Sequence, residues 1–213
     1  MRNEEKTKKI VDLVEKLPIV RIGNLGVSDV EKKYLRVILS RKTKKGEFIR
    51  LKKGVYTSRK FIENSKTNGE YSDFIEFLAS EIYAPAYLSL DYILYKNNLL
   101  TEVPKNFTLA TKNKTAVFTN EFGNFFYHKI KDGLFSGFET IRKNNFLIYR
   151  ATKAKALFDF LYLRKNFLGD KGAVDALRLN LENMNEKDKK ELWNYITTEG
   201  SQTMKNIYSG LFK

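Results

Sequence analysis

The sequence predicts an α+β protein in two parts. A small basic domain spans residues 1–66. A larger domain spans residues 70–213, with a mixed α/β core to about residue 165 and a helical tail after it. Three observations carry this reading. Residues 1–66 hold nineteen Lys and Arg against eight Asp and Glu, whereas the rest of the chain holds twenty against seventeen, so almost all of the net charge of +14 sits in the first third. The hydrophobic period is helical at both ends and alternating in the middle, which separates helices from strands. The polar stretch NSKTNG at 64–69 has no period and reads as the linker between the parts. With 42% apolar residues in 213 positions, each part can build a core.

The elements follow in order. Ile10, Leu13, Val14 and Leu17 recur at helical spacing and predict a helix over 4–17, which Pro18 ends. Residues 19–27 carry Gly23 and Gly26 and leave room for a strand or a tight turn. Ser28 with Glu31 three residues later makes a capping box, and a helix over 29–43 follows. Two β-prone runs, 48–51 and 54–56, flank the basic pair Lys52 and Lys53 and read as a hairpin. The second part opens with a helix over 71–82. Pro85 breaks the chain, and Ser89 is placed to cap a short helix to Lys96. Strands are predicted at 107–111, 116–119, 125–130 and 146–149 from their aromatic and β-branched residues. Helices return at 152–165, 171–182 and from 186 to about 207.

The N-terminal order carries a functional reading. On a helical wheel, Tyr34, Leu35 and Ile38 fall on one side of the 29–43 helix with Val30. Asp29, Lys32, Lys33, Arg36 and Ser40 fall on the other. A helix with one packing face and a row of cations suits the DNA major groove, where Lys and Arg reach guanine edges or phosphate. The hairpin that follows adds Arg50, Lys52 and Lys53. Helix, helix and basic hairpin is the order of a winged helix-turn-helix, in which the second long helix reads the groove and the hairpin touches backbone. The candidate DNA contacts are therefore Ser28, Lys32, Lys33, Arg36, Ser40, Arg50, Lys52 and Lys53, and the expected partner is double-stranded operator DNA. The competing reading is a solvated basic helix beside an ordinary hairpin.

At residues 46–56, GEFIRLKKGVY, the chain resembles the wing of the AbiEi antitoxin family. The stretch YLSLDYIL at 87–94, with NLLT at 98–101, resembles the start of that family's second domain. ATKAKALFDFLYLR at 151–164 resembles its most specific helix, and FGNFFY at 122–127 and LFSGF at 134–138 agree as well. The resemblance covers residues 9–164, and departs in the short segment 19–27. It implies an antitoxin of a phage-defence operon whose winged helix represses its own promoter. It also implies a second domain that counters a nucleotidyltransferase-like toxin, AbiEii, without a stable complex.

In the second domain Lys155 and Asp159 stand four apart on a helix that is apolar almost all round, and can pair. Two readings stand: they satisfy each other inside the domain, or with Arg164 they line a surface that serves antitoxin function. His128 is the only histidine, which excludes a multi-His metal site. There is no Asp/Glu cluster with metal spacing and no Gly-rich phosphate loop, so no catalytic residue, cofactor or metal is expected. The aromatic residues of 107–138 suit a core, and can also stack on bases. The absence of cysteine excludes disulfides and thiolate zinc sites. The opening MRNEEKTKKI lacks the apolar core of a signal peptide, so a cytoplasmic protein without membrane contact is expected. The alternatives to an antitoxin are a stand-alone transcriptional regulator and an enzyme that modifies or cuts nucleic acid, with a basic arm to deliver it.

Overall fold

A computed structural model of the chain describes residues 11–12, 14–24, 29–169 and 171–212. It is an α+β protein with two sheets. Two compact units are present, Met1–Leu78 with Phe118–Phe122, and Ala79–Val117 with Gly123–Lys213. Among the described residues no helix is long and apolar enough to cross a membrane.

In the first unit, Val11 and Val14 are buried on one turn of helix. Leu17, expected on the same apolar face, is 42% exposed because the chain has already left the helix in a turn at Lys16 and Leu17. The rest of the predicted face, Ile10 and Leu13, lies outside the described residues, as does Ser28 with its capping box. Strand β1 is Val20–Arg21, followed by a single 3-10 turn, Ile22–Asn24. The helix Asp29–Lys44 leads into strands β2, Phe48–Lys52, and β3, Val55–Ser58. The three strands pair antiparallel in the order β1-β3-β2. Val14, Val20, Ile22, Leu39, Phe48 and Tyr56 form one buried cluster between sheet and helices. The β2–β3 turn is Lys53-Gly54, and Gly54 takes φ +77, a left-handed conformation that a side chain resists.

The stretch 64–69 is not a free linker. Residues up to 67 complete the helix Arg59–Thr67, capped at its start by the Ser58 hydroxyl, and the helix Tyr71–Ile82 begins four residues later. Polar composition misled here because Ile62 and Ser65 form a buried stripe on an otherwise solvated helix. The boundary between the two units falls within Tyr71–Ile82.

The larger sheet is mixed and six-stranded, in the order β6-β7-β5-β4-β9-β8. The strands are β4 Ala86–Leu88, β5 Phe107–Thr111, β6 Ala116–Asn120, β7 Gly123–Lys129, β8 Phe138–Lys143 and β9 Phe146–Ala151. Strands β4 and β8 were not expected. The first has only three residues, and the second is an exposed edge strand whose Glu, Thr, Arg and Lys mask its alternation. The central helix, Lys153–Arg164, packs against Leu90–Lys96 and Glu186–Glu199, and every residue from Ala154 to Leu161 is buried.

Two helical expectations are corrected. The 171–182 helix is only Lys171–Asp175. Beyond it Arg178 turns to φ +48, and Asn180 bonds back to the carbonyl of Leu99, so the chain leaves the helical path. The long final helix is two, Glu186–Glu199 and Gln202–Leu211. Gly200, at φ +85, ends the first, and the Ser201 hydroxyl caps the second by accepting from the amide of Met204.

Candidate nucleic-acid interface

The helix Asp29–Lys44 sets one side of the site. Its packing axis runs through Leu35 and Leu39, both essentially fully buried. At about 100° per residue, Lys33, Arg36 and Ser40 then point away from the core, and all three are exposed. Lys32 sits at the margin and is half-buried. Tyr34, expected to pack, is 49% exposed, and Val37 is 48% exposed. The buried row is centred on Leu35 and Leu39, which leaves Tyr34 about a third of a turn off the axis.

The hairpin sets the other side. Arg50 stands opposite Tyr56, and Lys52 opposite Val55 after a bulge between them. Arg21 stands opposite the same Val55 from β1. Two cations therefore flank one residue across three strands, spaced by roughly two strand separations of about 5 Å each. Burial, and then the Arg21 charge, pull the Lys52 pKa below its ordinary value. The Lys52 ammonium also lies 5.5 Å from the ring centre of Phe118.

Arg21, Arg36, Arg50, Lys52 and Lys53 line one cleft, and no Asp or Glu among the described residues lines it. Three elements thus bring five cations to one concave surface. Such a surface concentrates positive potential and attracts a polyanion. Among the described residues it holds no nucleophile paired with a base. No family model matches the chain, and no curated protein matches its sequence.

Of the expected contacts, the structure brings Arg36, Arg50, Lys52 and Lys53 together, and places Lys33 and Ser40 on the solvent side of the same helix. Ser28 lies outside the described residues. Arg21 was missed. A two-residue strand leaves almost no alternation to read, and only the pairing with β3 brings Arg21 to the hairpin.

The second set, Lys155, Asp159 and Arg164, does not share one surface. Lys155 and Asp159 are both 0% exposed, with Lys155 Nζ 2.6 Å from Asp159 Oδ1. Asp159 Oδ2 accepts from the Tyr87 hydroxyl at 2.9 Å and from Ser89 Oγ at 2.7 Å. Ser89, expected to cap the helix Leu90–Lys96, makes no side-chain cap bond because its hydroxyl serves Asp159. The Lys155 ammonium lies among the rings of Phe158, Tyr195 and Tyr87, 4.7, 5.4 and 5.8 Å from their centres. Burial pulls Lys155 below its ordinary pKa and pushes Asp159 above its own, with the ion pair opposing both shifts. The same burial, with Asp159 beside it, raises Tyr87. Arg164 is half-buried and bonds both carboxylate oxygens of Asp91 at 3.2 Å. Among the described residues no group of three or more His, Asp or Glu is placed to hold a metal ion.

Proposed function

We propose that the chain is a DNA-binding repressor of the AbiEi antitoxin kind. Its N-terminal part acts as a winged helix on double-stranded operator DNA, and its second part counters a nucleotidyltransferase-like toxin. The observation that supports DNA binding best is the cleft lined by Arg21, Arg36, Arg50, Lys52 and Lys53 and, among the described residues, by no Asp or Glu. The order of the helix Asp29–Lys44 and the β2–β3 hairpin along the chain, and the cleft that Arg36, Arg50, Lys52 and Lys53 share, support groove reading with a backbone-contacting wing. The exposed Lys33 and Ser40 lie on the groove-facing side in this reading. The antitoxin role rests on the sequence resemblance of residues 151–164 and the wing motif.

The test is binding to the DNA upstream of the gene, measured against random DNA over a range of salt. Specific binding is expected, with a steep fall as salt rises. Changing Lys33 and Arg36 to Ala touches no buried residue. It should leave the fold intact, weaken DNA binding and lose promoter repression, while toxin rescue survives. Equal affinity for promoter and random DNA refutes the repressor reading. Loss of both activities in the folded variant refutes the division of labour.

A further inference from the structure

The second unit carries a cleft that DNA binding does not use. Its floor is one face of β5 and β7, which run parallel with Thr108 opposite Phe126 and Ala110 opposite His128. Leu109, Phe125 and Tyr127 point the other way and are fully buried. Thr108, Phe126 and His128 remain partly exposed and line the cleft. The ring of Phe126 packs on no other ring among the described residues, unlike Phe125, which stacks on Phe107.

The walls are cationic. Arg164 stacks on Phe160, with its Cζ 3.7 Å from the ring centre, and Asp91 fixes its orientation. Lys105 and Arg178 also line the cleft, and neither forms an ion pair among the described residues. Arg178 holds its side chain there from a left-handed backbone, φ +48, a conformation that gathers at ligand clamps. Burial, together with the Arg164 charge, holds His128 below its ordinary pKa, so near neutral pH its ring offers one donor and one acceptor nitrogen.

From this cleft we infer a binding site for a free nucleotide. Lys105, Arg164 and Arg178 take the phosphates, the unstacked face of Phe126 takes the base, and His128 and Thr108 bond its edge. The volume of about 740 Å³ lies within the range of about 300–1,000 Å³ usual for small-ligand sites. That size suits one nucleotide rather than a strand. Three cations against Asp91 and Glu102 favour an anionic ligand, and a free ring face beside them favours one that carries a planar group.

The test is titration calorimetry on the full chain with ATP, GTP, CTP, UTP and inorganic phosphate. One nucleotide is expected to bind one-to-one, with a dissociation constant below about 1 mM. Replacing both Lys105 and Arg178 by Ala, at exposed positions, should weaken it about tenfold or more. Phe126→Leu should weaken the nucleotide and leave inorganic phosphate unchanged. A control variant, R21A/R50A/K53A in the first unit, should bind the nucleotide as the parent does. The proposal is overturned if no nucleotide binds at millimolar concentration. It is also overturned if the control variant loses binding while the K105A/R178A variant keeps it, or if a single-stranded oligonucleotide binds this cleft better than any mononucleotide. DNA binding by the first unit stands or falls separately.

Discussion

The buried pair Lys155–Asp159 makes a quantitative expectation about stability. Asp159 accepts three hydrogen bonds, from Lys155, Tyr87 and Ser89, whereas the Lys155 ammonium has one carboxylate and three ring faces. The two partners are therefore unequal. Asp159→Leu strands an ammonium at zero exposure, a loss of about 3–5 kcal/mol. It also orphans two buried hydroxyls at about 1 kcal/mol or more each. Lys155→Met removes the cation but leaves Asp159 both hydroxyl donors, and its carboxyl, already shifted upward by burial, can take a proton. That change should cost about 1–3 kcal/mol. The double variant K155M/D159L carries only the two orphaned hydroxyls, so it should be more stable than Asp159→Leu alone by about 3 kcal/mol or more. At about 2–4 °C per kcal/mol for a chain of this size, the difference is readable by thermal or urea denaturation. The reasoning is refuted if Lys155→Met proves costlier than Asp159→Leu, or if the two single losses simply add in the double variant.

Three further expectations can be checked directly. Arg21→Ala should weaken DNA binding and lower the slope of log affinity against log salt by about one, which anisotropy titrations at several salt concentrations would measure. Gly137→Ala should destabilise the protein. Its φ is +71, and an added Cβ would lie 2.1 Å from the Tyr195 hydroxyl, itself held by Glu191 at 2.8 Å. The cost is about 1–3 kcal/mol from overpacking, and about 1–2 kcal/mol from the backbone, read as a fall in melting temperature. His128 has a folded pKa below its ordinary 6.5, chiefly through burial. Its contribution to stability is thus fully present above pH 6.5 and is lost as pH falls through the lower folded value. His128→Gln should flatten the stability profile between pH 7 and 5, and an unchanged slope would count against a partly buried neutral imidazole.

Local pattern was enough for much of the architecture. The helix Asp29–Lys44, the hairpin Phe48–Ser58 and the helix Lys153–Arg164 follow from side-chain period, each within a few residues of its expected bounds, with Thr152 standing as the cap of the last rather than its first residue. Those signals work because they depend on backbone geometry that neighbours in sequence share. The same locality explains the failures. Period reports an angle about an axis and not what packs there, so Tyr34 looked buried, and Lys155 with Asp159 could not be told from a surface pair. Ser89 looked like a cap until Asp159, seventy residues away in sequence, took its hydroxyl. Arg21 joined the basic cleft only through pairing with β3, whose Val55 also faces Lys52. Sequence alone located the helix 29–44, the first hairpin and the helix 153–164, and showed where the positive charge concentrates. Tertiary structure decided which charges meet and which are buried, because desolvation and cross-strand register arise only when distant segments pack.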